Sequence, residues 1–227
     1  MGATEVVTAR TERELLAVVR AADETGVPLF LTSAAPGYLA SQGRSVRVAI
    51  TGMEIDETGC DTDDLVYCGA VQVTAAPGEQ WDDLVARAVQ TGWVGVEALS
   101  WLPGSVTDAV RYNAAAYGQS VADVVVSVRT WDRAQGAQRT FPAVDCSFAL
   151  GSSRFQETLV DGTARYVILG VSLLLPQGEL TKPVRDPELA ALLGVTLGER
   201  VELARVREAL SPHADAPASG PAGRPLV

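Results

Sequence analysis

Leu102-Pro103-Gly104-Ser105-Val106, then Asn113, then Ala116-Tyr117-Gly118-Gln119, is the stretch that decides how this chain is read. Pro103 presets one backbone angle, while Gly104 and Gly118 permit dihedrals and close approaches that a side chain would block. A segment of this kind suits wrapping a ligand better than filling a core.

Upstream of it, residues 5–51 read as a βαβ unit. Glu5 to Ala9 is extended, Thr11 to Thr25 is helical, and Pro28 to Thr32 and Val46 to Thr51 are strands. Thr11 with Glu14 forms a capping-box pattern, Leu15, Val18, Val19 and Ala22 share one helical face, and Gly26 ends the helix. A second unit alternates from Leu65 to Ala75 and continues as a helix from Gly78 to Gln90. Downstream, Val124 to Trp131, Gln138 to Phe141 and the long apolar run Arg165 to Leu175 read as strands, with a hairpin turn at residues 134–137. After Pro176, Asp186-Pro187 supplies an N-cap and first-turn proline for a helix over 188–193, and a further helix covers 201–210. The expected division is a small βαβ subdomain (1–52), a larger α+β subdomain (53–176), a helical extension docking on the body (177–210) and a disordered tail (211–227).

Several spaced motifs add to the opening stretch: Gly78-Glu79-Gln80-Trp81-Asp82-Asp83-Leu84-Val85, Gly95 to Ser100, Val128-Arg129, Asp132-Arg133, Asp145-Cys146-Ser147-Phe148, Ser153, Phe155, Arg165 to Leu169, and Val206 to Leu210. In this order they resemble the UDP-N-acetylenolpyruvoylglucosamine reductase (MurB) family of flavoenzymes, over roughly residues 5 to 210. The resemblance implies an α+β fold, a MurB-like FAD-binding scaffold of the PCMH/VAO type with two subdomains.

The same resemblance exposes departures at the site. Where the family has a glycine-rich turn whose N–H groups hold the flavin pyrophosphate, this chain has Ser33-Ala34-Ala35-Pro36-Gly37; proline removes a donor and each alanine adds a Cβ. Thr107 and Ala115 replace two further glycines. Gly151 and Leu150 stand at the positions of a substrate-polarising arginine and its preceding tyrosine. Neither the family's Gly-Ser-Phe-Phe-x-Asn-Pro motif nor its Thr-Thr-x-Arg-x-Gly-Gly arm occurs in these residues. The expectation drawn from these losses is that no cofactor is bound, FAD included, because its turn is degenerate.

Composition narrows the partners. At 227 residues with 47% apolar content the chain can bury a substantial core, and a formal charge of −10 speaks against nucleic acid and anionic membranes. The expected partner is a small molecule in the former flavin and substrate cleft; oligomeric state stays open, with a homodimer one outcome. Cys60, Cys68 and Cys146 cannot all pair within one chain, and Met1 to Glu5 has no signal-peptide pattern, so a reduced, cytoplasmic protein is expected. Val6 at the sixth position argues against myristoylation at Gly2. No zinc or EF-hand spacing is found, and the acidic run Asp56, Glu57, Asp61, Asp63 and Asp64 reads as solvated surface.

The only histidine, His213, lies in the tail, which excludes Ser-His-Asp and Cys-His catalysis. No catalytic residue is identified. The ligand-pocket candidates are Trp101, Ser105, Asp108, Arg111, Tyr112, Asn113, Tyr117, Ser153 and Arg154. Arg111 and Tyr112 stand where the family has less charged residues, Trp101 could stack on a flat ligand, and Arg154 could reach towards the place of the missing arginine. Cys146 reads as a core thiol, and Glu79, Asp82 and Asp83 as carboxylates supporting a helix dipole. The expected function is a MurB-like protein without reductase activity, reused to bind a small molecule or run a non-redox step such as a cyclisation in specialised metabolism. The alternatives are a non-catalytic interaction or regulatory pseudoenzyme, and an FAD-dependent oxidoreductase with another substrate.

Overall fold

The computed structural model describes residues 6–32, 43–56 and 69–211. The first unit is a three-stranded parallel sheet of β1 (Val6–Ala9), β2 (Leu29–Thr32) and β3 (Arg44–Val48), in the order β1-β3-β2, with helix α1 (Glu12–Thr25) in the β1-to-β2 connection. Thr11 caps α1, its Oγ1 accepting from Glu14 N at 3.2 Å, but the Glu14 carboxylate reaches back to Arg10 N at 2.8 Å, one residue ahead of the reciprocal capping-box donor. Gly26 closes the helix at φ 66°, a left-handed angle that glycine adopts without a Cβ clash. Leu15, Leu16, Val19 and Ala22 form the buried face. The third strand runs over 44–48 rather than the expected 46–51, because parallel pairing to Val6–Ala9 and Leu29–Thr32 sets both its ends.

The second sheet holds β4 (Met53–Asp56), β5 (Ala70–Ala75), β8 (Val125–Asp132), β9 (Ala137–Pro142) and β10 (Tyr166–Pro176), antiparallel in the order β4-β5-β10-β8-β9; β6 (Ala115–Ala116) and β7 (Gln119–Ser120) form a small separate hairpin. Strand β10 is central, and its pleat explains its continuous apolar run. Tyr166 and Ile168 join the core that helix α2 (Trp81–Thr91) covers, whereas Val167 and Leu169 point the other way and pack with Trp131 against Leu15 and Val19 of α1. One strand thereby supplies both faces of the molecule's two main clusters.

Ion pairs reinforce that contact. Glu12 of α1 takes both terminal nitrogens of Arg129 at 2.8–2.9 Å, and Asp23 meets the buried Arg133 at 2.7 Å. Arg165 forks onto Asp132, whose side chain is 1% exposed. The Val128-Arg129 and Asp132-Arg133 motifs thus tie α1 and the sheet together.

Three local expectations change. Helix α2 starts at Trp81, not Gly78: Gly78 N donates to Ile50 O at 2.9 Å, and a Cβ there would sit 2.6 Å from Val48 O. Met53–Asp56 is an edge strand, so Asp56 belongs to the sheet, while Glu57, Asp61, Asp63 and Asp64 lie outside the described residues, as do Cys60, Cys68, His213 and the turn at residues 33–37. Asp82 does more than complement a dipole. It accepts from Trp101 N at 2.6 Å and pairs in bidentate fashion with Arg207.

The last segment contains α4 (Pro187–Leu193), capped by Asp186 through Leu189 N at 2.9 Å, and α5 (Leu203–Ala209). Leu189 and Leu193 of α4 and Val206 of α5 cluster with Ala98 and with Val184 of the chain leading into α4. Among the described residues no helix is long and apolar enough to cross a membrane, and no group of His, Cys, Asp and Glu is arranged to hold a metal.

Candidate functional site

The opening stretch folds into a turn that is pinned from both sides. Gly104 takes φ 104°, its carbonyl accepts from Trp81 N, and Val106 N and Thr107 N donate to Glu79 O and Pro77 O. Ser105 then caps α3 (Val106–Arg111), with its N and Oγ on Asp108 Oδ2 at 2.8 and 2.7 Å. This turn places one face of α3 against the ends of β2, β3 and β10. The result is a cleft between the two sheets, walled by Leu31, Val48, Phe155 and Val167 and bordered by Ser105, Thr107, Asp108 and Arg111. Its free volume is about 40 Å³, little more than room for water.

Of the nine candidate residues, Ser105, Asp108 and Arg111 meet in this cleft. Arg111 Nε is buried without a hydrogen-bond partner, and its guanidinium lies 5.9 Å from the Tyr112 ring. Tyr112 itself is exposed and borders neither this cleft nor the larger cavity described below.

Asn113 (φ 44°, 7% exposed) acts as a clip. Its Nδ2 donates to Ala149 O and its Oδ1 accepts from Ala122 N, both at 3.0 Å. Ser153 Oγ donates to Arg111 O at 2.7 Å and also caps the following turn through Phe155 N. Gln156, which sequence reasoning missed, donates to the same Arg111 carbonyl and to Gly151 O. Arg154 turns away: Nε donates to Asp145 O at 2.6 Å and the guanidinium stacks 5.1 Å from the Phe141 ring, so it does not take up the role of the missing arginine. Trp101 (φ 66°) carries Arg207 over its ring at 4.2 Å and donates Nε1 to Arg207 O, so one face of its indole is covered.

Tyr117 lies elsewhere, in a cavity of about 330 Å³ between the β6–β7 hairpin, the 3-10 turn Glu97–Leu99 and the chain leading into α4. Burial raises its pKa, and the charges of Glu188 and Asp186 add to the shift. The floor of this cavity is Glu97, 1% exposed, whose carboxylate accepts from Gly95 N at 2.6 Å and Gln119 Nε2 at 2.8 Å. Lys182 and Arg185 border its mouth. Glu97 and Gln119 stand in motifs quoted from the sequence but were not site candidates, and Lys182 and Arg185 join them only through the return of residues 177–211 across the sheet. Cys146 is a buried thiol whose pKa burial pushes up to about 11, against a small opposing pull from Arg154.

The model of the FAD binding domain family matches residues 3–141, more than half of the chain. This chain belongs to the FAD binding domain family. As a family member it is similar to UDP-N-acetylenolpyruvoylglucosamine reductases, being 40% identical over 210 residues to that of Cutibacterium acnes (91% of this chain, 53% of the relative) and 36% identical over 211 residues to that of Streptomyces avermitilis (91% and 53%). The chain therefore spans about half the length of the curated relatives it matches.

Among solved structures the family fold recurs. UDP-N-acetylenolpyruvylglucosamine reductase from Thermus caldophilus superposes with a TM-score of 0.52 at 22% identity, covering 77% of this chain and 56% of that one. 6-Hydroxy-D-nicotine oxidase from Arthrobacter nicotinovorans superposes at 0.53 and 17%, covering 83% and 41%. The two-sheet α+β scaffold is the fold this chain shares with these two proteins.

Membership corrects the cofactor expectation. The absence of FAD was inferred from Ser33-Ala34-Ala35-Pro36-Gly37, yet the FAD binding domain model runs through those residues. One turn is only part of a dinucleotide cradle, and donors elsewhere can take an anion when backbone N–H groups are lost. The flavin-independent reading falls with it.

Proposed function

We propose that this chain binds FAD in the cleft between its two sheets and acts as a flavin-binding module of the MurB type. The observation that carries the reading is the make-up of the cleft: apolar walls suited to a ring system, the hydroxyl of Thr107 at the rim, and the buried Nε of Arg111, which has no hydrogen-bond partner. These residues fit a dinucleotide, which combines a flat apolar head with an anionic diphosphate. FAD supplies two-electron chemistry when bound; the chain's part is to hold it and keep water from it. With only about 40 Å³ free, binding requires side chains of the two sheets to move apart.

Within this reading the chain does not by itself reduce UDP-N-acetylenolpyruvoylglucosamine. Leu150, 93% exposed, and Gly151, at φ 66°, stand where the resemblance expects a tyrosine and a polarising arginine, and Arg154 is committed to Asp145 O. Electrophilic groups of that kind account for factors of about 100 or more in rate. Reuse for another small molecule is the consequence.

FAD titrated into purified protein should lose fluorescence and raise the unfolding temperature. With FAD loaded, NADPH oxidation in the presence of UDP-N-acetylenolpyruvoylglucosamine should stay at the level without that substrate. No change in either binding signal at saturating FAD would end the flavin reading, and substrate-dependent turnover would end the claim of lost reductase activity.

A further inference from the structure

We infer that Arg111 is the anion-binding group of the cleft and grips the diphosphate of FAD; this rests on the flavin reading above. Four observations converge. Thr107 and Arg111 lie four residues apart on α3, so they share one helical face, and both border the cleft. Arg111 is half-buried with Nε sealed from solvent, and no hydrogen bond or ion pair of its guanidinium exists among the described residues. Its backbone is held in place independently, since its carbonyl accepts from both Ser153 and Gln156. Finally, Asp108, a carboxylate of the rim, accepts from Ser105 N and Oγ, and no ion pair joins it to Arg111 among the described residues.

A guanidinium is a permanent cation with donors in a fixed fork, and leaving a buried N–H unpaired is costly. The apolar walls Leu31, Val48, Phe155 and Val167 offer it no acceptor. The partner it calls for is an anion with oxygens in a plane or tetrahedron. In FAD only the diphosphate is charged, so the isoalloxazine and ribityl parts cannot be what Arg111 meets. Where a glycine-rich turn would hold that group with backbone N–H donors, this chain has Pro36 and two alanines.

The test compares FAD with riboflavin, which has the same ring and no phosphate, on wild type, Arg111→Met and Arg111→Lys, reading flavin fluorescence. Arg111→Met should weaken FAD binding about 10- to 100-fold while leaving riboflavin binding unchanged, and Arg111→Lys should fall between. Raised salt should weaken FAD binding in wild type and much less in Arg111→Met. Thermal unfolding without ligand should be near wild type for both variants, since the guanidinium has no hydrogen bond or ion pair to lose among the described residues. Equal FAD affinity in wild type and Arg111→Met overturns the inference while the flavin reading stands, and so does a parallel loss of riboflavin and FAD or unfolding of both variants, each of which makes Arg111 structural. Wild type that binds neither flavin overturns both.

Discussion

Arg207 on α5 grips Asp82 on α2 from 125 positions away, with its two terminal nitrogens each 2.7 Å from a carboxylate oxygen. The same guanidinium lies 4.2 Å over Trp101, whose own N–H bonds Asp82. One planar cation therefore joins the first helix of the large sheet, the left-handed Trp101 two residues before Pro103, and the last helix. Replacing it by alanine leaves a half-buried Asp82 and a bare indole. Arg207→Ala should lower stability by about 2 kcal/mol in urea unfolding and shift Trp fluorescence. Arg207→Lys should recover less than half, because a point charge cannot fork.

Acid should weaken the fold through the same pairs. Burial pushes the carboxyls of Asp82 and Asp132 up, but hydrogen bonds from Arg207, Trp101 N and Arg165 outweigh it, and Arg129 lowers that of Glu12. All three folded values lie below the ordinary 3.8 or 4.5. A depressed carboxylate contributes fully above its unfolded value and is lost as pH falls through the folded one. The urea midpoint should thus be flat from neutrality to about pH 5 and fall below about pH 4. In Arg207→Ala that fall should be shallower; an identical slope would remove Asp82 from the explanation.

Asn113 combines a left-handed backbone with two hydrogen bonds that hold residues 122 and 149. Asn113→Ala forfeits both and puts at φ 44° a residue that lacks the polar side chain by which asparagine tolerates the left-handed region, and should cost about 3 kcal/mol. Asn113→Gly forfeits the bonds but relieves the angle, so it should be less destabilised by about 1 kcal/mol. Calorimetric melting of the two variants in that order supports the clip; the reverse order counts against it.

Gly78 is needed for space, not for its dihedral. Gly78→Ala would drive a methyl to 2.6 Å from Val48 O and 2.9 Å from Ile50 O, backbone atoms that cannot swing aside. Loss of about 2 kcal/mol or more is expected, together with weaker flavin binding, since Pro77 and Val48 border the cleft. Gly26→Ala, with nothing within 4 Å, should cost about 1 kcal/mol from its φ of 66° alone.

Cys146 should be inert while the protein is folded. Burial holds its pKa at about 11, so almost no thiolate exists at neutral pH. In a variant with Cys60 and Cys68 changed to serine, iodoacetamide at pH 8 should label Cys146 only after urea unfolds the chain. Rapid labelling of the native protein would refute the core-thiol assignment.

Local rules made much of this legible from residue order. The α1 cap at Thr11, its stop at Gly26, the Asp186 cap and the β10 run could be read directly, because helix ends and strand periodicity are set within a few residues. The ordered motifs pointed to the flavoprotein scaffold that the family match bears out. Other features could not be read that way. The start of α2 depends on Gly78 touching Val48 and Ile50, 28 to 30 residues earlier, and β4 exists because β5 pairs with it.

Sequence by itself determined most of the elements, their apolar faces and the family, since these follow from short-range dihedral preference and spacing. The tertiary structure alone decided which polar groups are used up and which are left over. Asn113, Ser153, Arg154 and Trp101 were equivalent candidates in the chain, but long-range partners at Ala149, Arg111, Asp145 and Arg207 engage them. Arg111 kept a buried Nε without a hydrogen-bond partner beside the cleft. Whether a donor is satisfied is a property of distances between remote residues, and no local pattern encodes it.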